Sequence, residues 1–358
     1  MGKRDWSWAF LGILALAIRY FAIQNPEATE DWYSRRFFPG VRNVIDLTLG
    51  NLPFPSVYLF IVVVFLVLGI YLKRVIERPG LKSKSLYSFQ ALANGLGGLV
   101  FFFLVLWGFN YQRSPIFQQL SLKPKSLNLT QLESEIKITH RLVEQYRTRL
   151  TADSLAITET MDYPELERLV RANMRENLEI LGLNFTGRPR TKMFPPPGFM
   201  RKMGILGIYF PFTGESYIDP TLHALEQPFT VAHEMAHSYG VTNEGEANFI
   251  AWVICSNSED PLLRYSGHLR LLQYQMRDYY RMAPEEYKAW VKTLSQGVRN
   301  DLNSIREASE AIKPYSLELS RKSNDIFLKS QGVKAGVNSY QQLPMLAYAW
   351  RKRMNLED

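Results

Sequence analysis

One cysteine and five histidines in 358 residues leave little material for thiol or metal chemistry. Cys255 stands alone, so no intramolecular disulfide and no cysteine cluster can form, and its place in an apolar stretch reads as core. There is no Gly-rich phosphate loop and no internal repeat, so the patterns that mark a nucleotide site or a repeat array are missing. The net charge of +8 is dispersed, much of it in a basic segment from Lys73 to Lys84 and the rest scattered. A protein lying beside anionic lipid carries such a balance, and no nucleic-acid partner is needed to explain it.

What the chain does have is apolar sequence concentrated at one end. Residues 6–23, 54–72 and 87–107 are three runs near the length of about 20 residues that crosses a bilayer as a helix. The first contains Arg19 and is followed by no small-x-small cleavage site, so it reads as a signal anchor with Arg19 snorkelling to the interface. The third holds Asn94-Gly95-Leu96-Gly97-Gly98, small residues that suit close helix packing. Lys3 and Arg4 precede the first span, and Lys73, Arg74, Arg78, Lys82 and Lys84 crowd the link between the second and third. The loop between the first two spans instead mixes Arg35, Arg36 and Arg42 with Glu27, Glu30, Asp31 and Asp46. The positive-inside rule then keeps the N-terminus and the basic link in the cytoplasm and sends residues 112–358 outside, the periplasm in a Gram-negative cell. The expected division is a membrane domain over 1–111 and an extracytoplasmic domain over 112–358.

Beyond residue 112 the pattern is mainly helical, with amphipathic periodicity over 127–150, 163–181 and 284–311. One segment breaks it: 204–210 reads as a strand, 211–214 as a turn and 215–220 as a return strand. Just downstream lies His233-Glu234-Met235-Ala236-His237. Two histidines four apart project from one helical face and offer two nitrogen ligands suited to Zn²⁺, while Glu234 falls where a carboxylate can hold a water without binding the metal. Gly240 follows where such a helix would stop. The chemistry implied is metal-assisted hydrolysis, most often of a peptide bond.

A catalytic zinc site needs a third protein ligand. Asn243 looks like an N-cap, with Glu246 completing a capping-box pattern and Glu244 in the first turn of a second helix. Glu244-x-x-Ala247-Asn248 resembles the second motif of the Glu-zincin peptidases, whose Glu binds zinc and whose last residue supports a ligand histidine. The resemblance implies Glu244 as third ligand and Asn248, in place of the family's Asp, as its supporting amide. Glu246 is the competing third ligand; the i, i+4 pairing with Asn248 favours Glu244. His233 to Asn243 is also similar to the metzincin pattern, but ends in Asn, and neither Met276 nor Met282 marks a Met-turn.

Taken whole, the chain resembles an uncharacterised family of bacterial membrane proteins with three N-terminal spans and a zinc-metallopeptidase-like domain. The features that carry it are Trp107-Gly108-Phe109-Asn110-Tyr111, the hairpin around Pro211-Phe212-Thr213-Gly214-Glu215, the 233–248 block and residues 332–340. The expected architecture is mainly α, three transmembrane helices followed by an α-rich, zincin-like domain with a small β-hairpin or sheet. The expected function is a zinc metallopeptidase of the inner membrane acting on a peptide or protein. In it, His233, His237 and Glu244 hold Zn²⁺ and Glu234 is the general base. His268, Tyr265 and Tyr279 are candidates for stabilising the oxyanion. The rival expectation is a scaffold, zinc-binding without catalysis or metal-free, that binds partners outside the cytoplasm. Oligomeric state leaves no mark in the sequence.

Overall fold

In the computed structural model, which describes residues 5–183 and 187–354, the three apolar runs are helices: α1 (Ser7–Gln24), α3 (Val57–Ile76) and α4 (Gly80–Leu106). All three are long and apolar enough to cross a membrane. Lys3 and Arg4 fall outside the described residues. The apolar side chains of these helices face outward, Ile13 being 67% and Phe65 68% exposed, which only a non-aqueous surrounding tolerates over such lengths. Between α1 and α3 the chain is helical again and includes α2 (Phe38–Leu47).

The chain divides into two compact units, Met1–Ser114 with Phe210–Glu215, and Pro115–Tyr209 with Ser216–Asp358. The boundary thus lies three residues beyond the expected one, and the hairpin tip joins the first unit. In that unit α1 and α4 touch through their backbones: a Cβ on Gly97 would stand 2.3 Å from the Trp8 carbonyl oxygen, and one on Gly12 2.5 Å from Gly97 Cα. Asn94 fastens the same seam, accepting the Ala9 N–H at 3.0 Å and donating to the Asp5 carbonyl at 2.7 Å. The segments outside the apolar helices are held by buried polar pairs. Arg113 meets Glu30 at 2.7 Å, and Arg42, almost fully buried, pairs with Asp46 and donates to the Gly214 carbonyl. Glu215 accepts both the N–H and the hydroxyl of Ser56 at 2.8 and 2.6 Å. Phe210 and Phe212 each lie 5.1 Å, ring to ring, from Phe60 in the first turn of α3.

The second unit is mainly helical, as the whole chain is, with 72% helix and 3% strand. Its elements are α5 (Leu129–Leu150), α6 (Tyr163–Ile180), β1 (Thr191–Met193), β2 (Gly207–Phe210), β3 (Glu215–Ile218), α7 (Gln227–Ser238), α8 (Glu244–Asn257), α9 (Pro261–Met282), α10 (Gln296–Ala311), α11 (Leu317–Ser330) and α12 (Leu343–Arg353). The three strands form one sheet in the order β1-β3-β2, with β1 parallel to β3 through Thr191 and Ser216. The core is built from α6, α7, α8 and α12, with Met235, Ile250 and Cys255 fully buried in it. The periodic stretch 284–311 is not one helix: it breaks at Leu294, whose buried side chain takes extended backbone, and restarts where the Ser295 hydroxyl accepts the Val298 N–H.

Asp301, with no exposed surface, organises the far side of this unit. Its carboxylate pairs with Arg147 at 2.8 Å, takes the Tyr265 hydroxyl at 2.6 Å and accepts the Ile157 N–H at 2.8 Å. Gly297 lets the guanidinium in, since a Cβ there would lie 2.2 Å from Arg147 Cζ. Removing one partner of a buried ion pair leaves the other desolvated and unmatched, so Asp301→Ala should destabilise the protein by about 3–5 kcal/mol, read as a lowered denaturation midpoint of the detergent-solubilised chain.

Candidate metal centre

The helix α7 is closed off by Gly240, two residues past its end, whose φ of +82° continues no right-handed helix. Gly240 N–H bonds to the His237 carbonyl at 2.9 Å and Val241 N–H to the Ala236 carbonyl at 3.2 Å, the paired closure of a left-handed glycine cap. That turn aims the Val241 carbonyl at His237 Nδ1, 2.7 Å away, which fixes the imidazole and presents Nε2. Three residues on, the Asn243 side chain accepts the N–H groups of Gly245 and Glu246 at 2.9 and 3.1 Å and starts α8. Glu244, the first residue of α8, is thereby brought against the last turn of α7.

There Glu244 Oε2 lies 3.2 Å from His233 Nε2 and 3.3 Å from His237 Nε2, and the two nitrogens are 3.2 Å apart. His233, His237 and Glu244 are all buried, and together they could hold a metal ion. The near-equilateral triangle suits a tetrahedral ion with bonds of about 2.0–2.1 Å, whose ligands stand about 3.3 Å apart. Glu246 is not part of this group; its carboxylate accepts the Phe117 N–H at 3.2 Å. Asn243 is used as a cap, so the metzincin-like register supplies no third ligand.

Glu234, on the same helix, is buried beside the triangle. Its Oε2 has no hydrogen-bond partner among the described residues, nor has His233 Nδ1. The strand β2 runs against this carboxylate: a Cβ on Gly207 would lie 2.4 Å from Glu234 Oε1. Ser216, in β3, donates its hydroxyl to the Glu234 carbonyl at 2.7 Å, so the hairpin holds α7 at Glu234.

The charges are strongly coupled. Burial pushes Glu234 up to about 8, only partly opposed by His237. For His237, burial alone would favour the neutral ring, but the charge and hydrogen bond of Glu244 carry it up to about 9. Burial lowers His233. Glu244 keeps its charge despite burial, because the two imidazoles hold it well below the usual carboxylate range. Glu244 and His237 therefore share an ion pair on the very atoms a cation would take.

Three expected helpers lie elsewhere. Tyr265 is bound to Asp301, Tyr279 donates to Glu133 at 3.2 Å, and His268 stacks on Tyr146 with ring centres 5.5 Å apart, its imidazole driven down to about 3 by burial. The residue that the sequence does not single out is Tyr340. Its ring stacks on His233 at 6.3 Å and 19°, and burial together with the charge of Glu244 raises its phenol well above the ordinary value. Asn248 acts there: its amide donates to the Tyr340 carbonyl at 3.1 Å and to the Tyr274 hydroxyl at 3.3 Å, so it supports the histidine through Tyr340 rather than by direct contact. Gly245 makes room, since a Cβ on it would stand 2.5 Å from the Ser339 carbonyl oxygen.

No curated protein and no solved structure matches this chain. One family does, described as Protein of unknown function (DUF3810), and its match runs over residues 33–348, from the helical segment after α1 to the last helix. That range takes in α3, α4, the hairpin, the His-His-Glu triangle and Tyr340, and the chain belongs to the DUF3810 family.

Proposed function

We propose that the protein is an integral-membrane zinc metallopeptidase whose second unit hydrolyses peptide bonds outside the cytoplasm. The observation that carries this reading is a triangle of three metal-capable donors beside a buried carboxylate that is not one of them. A structural zinc site has no use for such a carboxylate, whereas hydrolysis requires one. The topology rests on five basic residues, Lys73 and Arg74 in the last turn of α3, Arg78 in the link, and Lys82 and Lys84 at the start of α4, which favour a cytoplasmic link and hence a periplasmic second unit in a bacterial inner membrane.

His233, His237 and Glu244 would hold the ion. Zinc bound there supplies a Lewis acid for a substrate carbonyl and lowers the pKa of water toward neutrality. Glu234 accepts a proton from the attacking water and returns it to the departing amine; a carboxyl kept out of bulk solvent and raised toward neutrality is suited to both halves of that cycle. Gly207 leaves Glu234 room to adopt the required position. Tyr340, with its hydroxyl near Glu244 and its ring on His233, keeps a neutral phenol that can donate to oxygen where negative charge develops.

Detergent-purified full-length protein should contain about one zinc per chain by inductively coupled plasma mass spectrometry. His233→Ala should lose it, while Glu234→Gln should keep it and cleave a fluorogenic peptide library about 10²–10⁴-fold more slowly. A folded wild-type protein without metal overturns the reading and leaves a membrane scaffold. Unchanged cleavage by Glu234→Gln overturns the role of the base.

Gly207→Ala supplies a separate test of geometry. It should retain zinc and lose up to about a hundredfold in peptide cleavage, because the new methyl group displaces the Glu234 carboxylate without touching a ligand.

A further inference from the structure

One surface of the second unit carries apolar side chains in a basic setting. The helix α11 packs through Leu328, which is buried, Asn324, which donates to the Tyr340 hydroxyl, and Asp325, which accepts the Val337 N–H. At about 100° per residue, Leu319 and Ile326 fall on the opposite side of this helix. They are 64% and 59% exposed, with Lys322 on their flank.

The segment 199–208 lies alongside. Tyr315 N–H donates to the Lys202 carbonyl at 2.8 Å, and a Cβ on Gly204 would stand 2.9 Å from Ser320 Oγ. This segment exposes Met203, Leu206 and Ile208, and the exposed Tyr315 joins them. Residues 199–208 and 312–330 together hold five exposed Lys or Arg, Arg201 being buried, against two acidic residues. Large apolar side chains are normally exposed singly. An apolar group set among more cations than anions is the composition of a surface that lies in the headgroup layer of a membrane.

Two further observations name the occupant. The same chain carries three helices fit to cross a bilayer. Ile208 also stands only two residues before Phe210, whose ring packs on Phe60 in the first turn of α3. Two residues of extended chain reach about 7 Å at most, so Ile208 stands within that reach of Phe210. We propose that this face docks on the bilayer that holds the chain, with Leu206, Tyr315, Leu319 and Ile326 entering the headgroup layer and the lysines and arginines favouring anionic lipid. The inference stands apart from the metal centre and is unaffected if no metal binds.

The test uses the full chain with Leu319→Cys carrying an environment-sensitive fluorophore. Cys255, fully buried, stays unlabelled, and the unsubstituted protein is the labelling blank. The labelled protein is reconstituted in phosphatidylcholine vesicles, with or without phosphatidylglycerol, containing lipids with a headgroup nitroxide. Leu155→Cys, at a position 71% exposed in the loop after α5, is the reference. The expected result is nitroxide quenching at 319 severalfold greater than at 155, larger with phosphatidylglycerol, and reduced by Arg321→Glu with Lys322→Glu. Quenching at 319 no greater than at 155 in both lipids overturns the proposal. Equal quenching at 319 with and without phosphatidylglycerol overturns the preference for anionic lipid.

Discussion

A carboxylate taken out of water must be matched or it gives up its charge, and Glu244 is matched from several directions at once. Two imidazole nitrogens lie 3.2 and 3.3 Å from it. It also occupies the first position of α8, at the positive end of that helix's dipole, while His237 sits in the last turn of α7, at the negative end of that helix. Helix ends of opposite polarity thus meet, each bearing the side chain that its field favours. The glycine cap at Gly240 and the asparagine cap at Asn243 let the chain reverse between them within a few residues. A cation entering the triangle would take over the work now done by the proton on His237.

The legible part of this architecture is the part written in neighbouring residues. The His-Glu-x-x-His spacing, the stop at Gly240 and the cap at Asn243 are local signals, each contained in a stretch of a few residues. The apolar runs are legible for the same reason: length and composition alone set their helices. The rest depends on partners distant in sequence. Tyr340 closes the 332–340 segment, which contributes to the family resemblance but carries no metal or catalytic spacing, and the packing of Ser339 on Gly245 brings it to His233. The three residues of β1 become a strand through parallel pairing with β3. Within 284–311 the helical periodicity continues through the break at Leu294, because a restart capped by Ser295 keeps the same apolar face. Tyr265, Tyr279 and His268 are polar residues downstream of the motif, and the tertiary fold assigns them to an ion-pair network, a surface carboxylate and an aromatic stack.

The hairpin gives the candidate site its rigidity. Glu234 is held through its main-chain carbonyl by Ser216 and approached at its side chain by the bare backbone of Gly207. These are neighbouring strands of one sheet, so a shift of the sheet would move both constraints together. A carboxylate positioned in this way has few rotamers open to it, and the position of its free oxygen follows the position of β2.

The grouping of Phe210–Glu215 with the first unit has a practical bearing on how the molecule can be divided. A cut in the linker after Ser114 looks like a clean separation of the apolar helices from the second unit, but the polypeptide passes back into the first unit once more through the hairpin tip. The excised fragment would present Phe210 and Phe212 to water without Phe60, and the Glu215 carboxylate without the donors of Ser56. Those losses would fall on the same two strands that hold Glu234. A truncated domain that precipitates or proves inert would therefore report on a severed hairpin, and shed no light on the chemistry of the intact chain.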